Sequence, residues 1–348
     1  MKPTIGLVQG DACGIGPELM AKLLAFEDVR DRARILIFTD RRVFDTGAAV
    51  VGSETNVREI EDLSEADFSD DLPNLLHMPS LDPTDITPGK VSKAAGAAVL
   101  ETFGRALDLA KAGRLDGICF MPFNKEALHL AGLGVEDELR WAMDRLDHKG
   151  EASEFNVVED MWNARVTSHV PLRDVAGLLS VERIVGAIRL ADATLKEAGF
   201  SRPRIAVAAL NPHAGDGGAI GREEIDLIRP AVEQAQALQI AAEGPFPSDT
   251  MYLKVRDGLY DCAVSMYHDQ GQIAIKLLGF DMGVSVHGGL TVPITTPAHG
   301  TAFDIVGKNV ANVEPARRAF LMVAEMAGNR VQEAATDGQR SRPRGAAS

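Results

Sequence analysis

The chain is poor in cysteine, in aromatic rings, in surplus positive charge and in long apolar runs, and each shortage removes a class of protein. Only three cysteines are present, Cys13, Cys119 and Cys262, far apart, and two of them sit inside apolar runs as small core residues do. A reduced, cytoplasmic protein is therefore expected. With 36 Lys and Arg against 50 Asp and Glu, the formal net charge of -14 argues against a phosphate-backbone-binding surface, because nucleic-acid affinity comes largely from clustered cations. No apolar span approaches the ~20 residues of a membrane helix. The start, Met1-Lys2-Pro3-Thr4-Ile5-Gly6-Leu7-Val8, runs straight into a strand-like segment with no signal-type apolar region and cleavage site, so a soluble, unexported protein is expected. An aromatic content of 5% beside 33 glycines suits a turn-rich α/β protein.

What is there is an alternation of strand-like and helical runs over most of 348 residues, too many for one small core. The reading is an α/β/α protein whose residues 1–330 form one domain of two interleaved lobes with a cleft between them. Residues 331–348, ending in Arg340-Ser341-Arg342-Pro343-Arg344 and a short polar remainder, read as a disordered tail. Strand-like runs end at Gln9, Asp40, Pro122, Leu210 and Met266, and helical periods cover Val91 to Gly113, Ile184 to Ala198 and Glu223 to Leu238. The stretch Glu136 to Trp162 is expected to be mostly helix, interrupted near Asp147-His148-Lys149-Gly150. Two strand-like runs are expected on either side of the loop Gly244 to Thr250.

The densest chemistry lies in Tyr267-His268-Asp269-Gln270-Gly271, which follows the apolar run Ala263-Val264-Ser265-Met266 and precedes Lys276. An apolar strand that ends in donors and acceptors is how an open α/β sheet presents a site. His169 and His213 share that context. Their spacing is useless as a local metal motif, yet three strand ends of one sheet converge in space, and three imidazoles suit zinc or another borderline divalent ion. The plain alternative for each ring is a hydrogen-bonded structural histidine.

Several motifs, in order along the chain, resemble the 4-hydroxythreonine-4-phosphate dehydrogenase family. They are Gly10-Asp11 with Gly14-Ile15-Gly16-Pro17-Glu18, Asn124-Lys125-Glu126, Thr167-Ser168-His169-Val170-Pro171-Leu172-Arg173-Asp174, Leu210-Asn211-Pro212-His213-Ala214-Gly215, Asp249-Thr250, the His268 motif, and His299-Gly300-Thr301-Ala302-Phe303-Asp304-Ile305. The resemblance implies an isocitrate/isopropylmalate dehydrogenase-like fold and a homodimer with shared sites. It implies that His169, His213 and His268 bind a divalent metal (Zn, or Mg, Mn or Co), one of them across the dimer interface. Asn211, His299, Gly300, Thr301, Asp304 and Asn312 are the implied NAD contacts, and a carboxylate at Asp304 would repel the extra phosphate of NADP. The implied reaction oxidises a β-hydroxy acid and decarboxylates it, the metal holding the hydroxyl and NAD taking the hydride. Asp249, Asp269 and Lys276 are the candidates for orientation and proton handling.

The resemblance breaks at the substrate. Where biosynthetic members carry an Asn and an Arg that hold the substrate with the conserved Lys, this chain has Ser285 and Ile294, and neither replaces a bidentate guanidinium. The family's Gly-His-Thr-Glu loop is replaced as well, with His148, Lys149 and Ser153 as candidates in its place. Two substrates stay open. One is a phosphorylated four-carbon acid such as 4-phosphohydroxythreonine or a threonate or erythronate phosphate, met by Lys149 and His287. The other is a non-phosphorylated acid, as in the aromatic cis-dihydrodiol carboxylate dehydrogenases of the family. A third reading, from a different class, is a metal- and NAD-binding protein without catalysis.

Overall fold

The computed structural model describes residues 2–52, 56–279 and 282–340. Among them twelve strands join one sheet: β1 (Thr4–Val8), β2 (Arg34–Thr39), β3 (Arg58–Ile60), β4 (Asn74–His77), β5 (Gly117–Phe120), β6 (Ser153–Val158), β7 (Met161–Arg165), β8 (Arg204–Ala208), β9 (Ala241–Phe246), β10 (Cys262–Ser265), β11 (Val284–Gly288) and β12 (Ile294–Pro297). Their order is β3-β4-β2-β1-β5-β12-β11-β6-β7-β10-β8-β9. The two flanks are parallel and read as unbroken apolar runs because helices cover both faces, as at Ile35-Leu36-Ile37-Phe38, all buried. The centre is different. β12 with β11, β11 with β6, and β6 with β7 pair antiparallel.

That centre corrects the sequence reading. Helix covers only Glu138–Arg145 of the stretch from Glu136 to Trp162, and its end, from Ser153 on, belongs to the β6–β7 hairpin. The hairpin turns at Glu159-Asp160 with Glu159 at φ 52, a left-handed position filled without glycine, so the usual turn signal is missing. Burial holds it in strand form: Phe155 and Trp162 meet edge to face, with centroids 6.1 Å apart, under the helix Val181–Glu197.

Three further boundaries move. The run after Gly244 is the helix Ser248–Arg256 rather than a second strand. The expected helix from Glu223 begins as a π-helical turn, Glu224–Ile228, and becomes regular at Arg229–Ala237; Pro230, lacking an N–H, breaks the ladder there. The last helix, Glu314–Arg340, continues past residue 330, so residues 331–340 are helical rather than a loose tail, and residues 341–348 lie outside the described residues. No helix among the described residues is long and apolar enough to cross a membrane.

Glycine matters at the first strand-to-helix turn. Gly10 takes φ 83, and a Cβ on Gly14 would come within 2.7 Å of the Thr301 Cβ, so only glycine lets the turn lie against the His299-Gly300-Thr301 loop. The contact is sealed by Ile15 N–H donating to the Thr301 carbonyl at 3.1 Å.

Candidate active site

The two histidines at the ends of β7 and β10 come together. The rings of His169 and His268 lie 5.5 Å apart between centroids. Nδ1 of His169 is 2.9 Å from Glu136 Oε1, and Nδ1 of His268 is 2.7 Å from Asp269 Oδ1. A carboxylate on one ring nitrogen fixes the tautomer and leaves Nε2 as the ligating atom, the arrangement by which proteins present imidazole to a cation. His213 stands elsewhere, in the turn Pro212–Gly218, where five consecutive residues from His213 to Gly217 have positive φ. Among the described residues no ring contact joins it to the other two.

Two small cavities flank the pair and meet at Glu154. One, of about 220 Å³, is lined by Lys125, Glu136, Asp137, Glu154, Arg165, His169 and His287, with Ser153 at its edge. The other, of about 160 Å³, is lined by Glu154, Asn156, His268, Gln272, Lys276 and Ser285. A larger cavity of about 640 Å³, beside Trp162, Phe200 and Met322, holds none of the histidines.

The floor is a polar network across the three central antiparallel strands. Arg165 donates to Glu154 Oε2 at 2.8 Å, to Asn156 Oδ1 at 2.9 Å and to Ser168 Oγ at 3.1 Å. Ser285 Oγ donates to Glu154 Oε1 at 2.7 Å, and Gln272 donates to Asn156. Burial alone would raise the Glu154 carboxyl, but the Arg165 charge and the Ser285 hydrogen bond outweigh it and hold it down at about 2. Burial pushes the His287 imidazole down, so it stays neutral, and its Nδ1 has no protein partner.

Of the residues singled out in the sequence, Ser153, His169, His268, Lys276, Ser285 and His287 share this cleft. His148 and Lys149 do not line it. They follow the helix Glu138–Arg145, where His148 N–H closes onto the Met143 carbonyl, and the segment that faces the cleft in their stead is Glu136 to Arg140. Asp137 is what sets that segment: its carboxylate caps the helix by accepting from Arg140 N–H. Asp249 is exposed in the first turn of the helix Ser248–Arg256, which Gln270 ties to the end of β8 by donating to both Ser248 Oγ and the Ala209 carbonyl.

The nucleotide candidates divide. Thr301 is buried against Gly14, Asp304 is exposed on the turn Phe303–Ile305, and Asn312 accepts from Glu314 N–H at the start of the last helix. Gly300 is open, with nothing near its Cα face, and His299 Nδ1 is 3.1 Å from the Gly300 carbonyl. Asn211 spends both amide hydrogens on Glu223 and Glu224, at 2.7 and 3.0 Å, which fixes the loop carrying His213. The residues that sequence reasoning missed are Glu136, Asp137, Glu154, Asn156, Arg165 and Gln272. Glu154, Asn156 and Arg165 had one signal, period-two polarity inside strands that are otherwise apolar, Glu154 and Asn156 on β6 and Asn163 and Arg165 on β7, while Glu136, Asp137 and Gln272 had none.

Known proteins are similar to this chain in sequence and in fold. The family model for the pyridoxal phosphate biosynthetic protein PdxA matches residues 31–323. A Rhizobium meliloti protein provisionally named 4-hydroxythreonine-4-phosphate dehydrogenase 2 is 48% identical over 94% of both chains. D-threonate 4-phosphate dehydrogenase of Cupriavidus necator is 37% identical over 94% of this chain and 98% of its own. The crystal structure of a 4-hydroxythreonine-4-phosphate dehydrogenase from Burkholderia phymatum superposes with a TM-score of 0.79 at 36% identity, covering 94% and 98% of the two chains. At 15% identity and a TM-score of 0.54, a β-decarboxylating dehydrogenase from Thermococcus kodakarensis shares the fold. Fold and relatives together define an oxidoreductase of the α/β dehydrogenase class that acts on a CH–OH group. The chain belongs to the PdxA family of pyridoxal phosphate biosynthetic proteins.

Proposed function

We propose that the protein is a metal- and NAD-dependent dehydrogenase that oxidises a β-hydroxy acid and releases carbon dioxide from the keto acid formed. The observation that carries the reading is the facing pair His169 and His268, each with Nδ1 held by a carboxylate, beside the cavity that contains Lys276. These residues fit a borderline divalent ion such as zinc, manganese or cobalt, with His213 as a third ligand. Bound there, such an ion supplies Lewis acidity to the substrate oxygens. The chain's own groups would do the remainder. Lys276 and Asp249 would orient the acid and handle its protons, one taking the hydroxyl proton during oxidation and one returning a proton to the carbon that loses carbon dioxide, while a bound NAD would supply the hydride acceptor. Asp269 holds the His268 ring. Asp304, on its exposed turn, would accept from the adenosine ribose hydroxyls of a bound NAD and would repel the extra phosphate of NADP.

The site is completed in a homodimer. His213 lies apart from the other two rings, and the helix His268–Gly279 shows solvent three large apolar side chains, Ile273 at 60%, Leu277 at 83% and Leu278 at 40% exposure. An apolar stripe on the helix that carries a ligand is a surface for a second copy. The relatives' names, with 4-hydroxythreonine 4-phosphate and D-threonate 4-phosphate as substrates, support a four-carbon hydroxy acid or its phosphate. Three buried free cysteines support a reducing, cytoplasmic setting.

The deciding experiment is NADH formation by the purified protein, with zinc or manganese, on a panel of four-carbon hydroxy acids and their phosphates. Reduction of NAD with release of carbon dioxide is expected. Tight NAD binding without turnover of any acid would instead support a non-catalytic binding protein.

A further inference from the structure

We infer that Glu154 and His287 make the cleft floor an acceptor-lined subsite, which takes a hydrogen-bond-donating group of the substrate, a hydroxyl or an ammonium, and keeps phosphate off the floor. The inference rests on the dehydrogenase reading and names the group by which this chain selects among acids.

His287 on β11 is the partner of Ile294 on β12 and of Glu154 on β6, and the β6–β7 pairing brings Arg165 next in line. The four residues form one row on one face of the sheet. Ile294, where related enzymes carry a clamping Arg, is fully buried in an apolar cluster with Ile118 and Phe120, so no cation reaches the floor from that side. The row's guanidinium is three strands away, about 14 Å by strand spacing.

That guanidinium lines one cavity, but its three nitrogens are taken up by Ser168, Asn156 and Glu154. The Arg165 side chain is 3% exposed, whereas its partner Glu154 is 31% exposed and lines both cavities. The charges of the pair cancel, and the member that meets a ligand is the carboxylate. Of its roughly four lone-pair positions, three are filled by Arg165, Ser285 and Asn156, which leaves one open. Beside it, His287 is 2% exposed, lines the cavity and has an Nδ1 with no protein partner, which in the Nε2–H tautomer is an acceptor. A buried polar atom without a partner is costly, and a ligand that brings a donor removes the cost. Phosphate brings only acceptors and negative charge. Cations stand at the rim instead, in the exposed Lys125, Arg140 and Arg183 of one cavity and Lys276 of the other, and acidic ends of the substrate belong there.

The test uses the full-length protein with NAD and manganese. Four-carbon 3-hydroxy acids carrying hydroxyl, amino or hydrogen at the neighbouring carbon, each with and without a terminal phosphate, are measured by calorimetry and by NADH formation. Wild type is expected to prefer the donor-bearing acids by at least ~10-fold. Glu154→Gln and His287→Asn, checked for native circular dichroism, should each bring that ratio near one. Glu154→Gln should also leave Arg165 uncompensated, so that inorganic phosphate competes more strongly, a gain that damage to the fold would not produce. Loss of the donor costing wild type and both variants equally, or phosphate competition unchanged in Glu154→Gln, would overturn the inference. If no acid is oxidised, the dehydrogenase reading fails, while calorimetry still decides the donor preference.

Discussion

His169 and His268 face one another at 5.5 Å, and each is braced by its own carboxylate, Glu136 and Asp269. Bracing of this kind sets ring orientation and basicity, so Asp269→Asn should weaken zinc binding by ~10- to 100-fold while His268→Ala abolishes it. Metal content after dialysis against a competing chelator measures both. Retention of one zinc per chain by His268→Ala would refute the assignment.

His213, on its left-handed turn, is expected to complete the site of the partner subunit. A mixture of His213→Ala and His169→Ala proteins, each inactive alone, should regain about a quarter of wild-type activity if random dimers form with one intact site in the mixed species. Mixing that restores nothing would place all three ligands within one chain.

The exposed side chains Ile273 and Leu277 give a second handle on the assembly. Leu277→Glu should produce a folded monomer by light scattering, with activity lost because the site is incomplete. A dimer that survives this change puts the interface on another face.

Acid sensitivity should follow Glu154. Its folded carboxyl titrates at about 2 against 4.5 for the ordinary group. A depressed pKa contributes stability that is complete above the unfolded value and disappears as pH falls through the folded one. The stability gap between wild type and Glu154→Gln, from urea midpoints, should therefore shrink as pH falls from about 4.5 toward about 2. A gap independent of pH would mean that shape, not charge, is what the glutamate supplies.

Asp11 has the opposite sign. It is buried, one oxygen accepts from Cys13 N–H at 2.8 Å and the other has no partner, and burial pushes the group up to about 6 from 3.8. Ionising it in the folded state costs stability as pH rises from about 4 to 6, by roughly 2 to 3 kcal/mol, because a tenfold change in proton affinity is worth ~1.4 kcal/mol. Asp11→Asn should accordingly raise the melting temperature at pH 7 and change it little at pH 4. An equal rise at both values would remove the titration argument.

Much of this was legible in the primary order, because strand ends announce themselves. An apolar run that stops at Thr167-Ser168-His169 or at Met266-Tyr267-His268 says where a side chain will surface, and the two rings do meet. What stayed hidden depends on pairing. Glu154, Asn156 and Arg165 acquire meaning only when β6 and β7 lie side by side, and the Glu159-Asp160 turn that joins them carries none of the residues by which hairpins are recognised. Once that hairpin is mistaken for helix, the cleft-facing segment is sought too far along, at His148 and Lys149 instead of at the helix cap Asp137. The final helix reads short for another reason: a polar, charged sequence without long apolar stretches resembles a loose end until tertiary contacts hold its first turns.

The backbone ladder runs without a gap from β3 to β9, through the very strands that carry the polar row. Evolution of a new preference in this chain would thus proceed by exchanging side chains on a rigid bench: a single change at 154, 165, 287 or 294 rewrites which molecules are welcome while the bench itself, and the histidines at its ends, stay where they are.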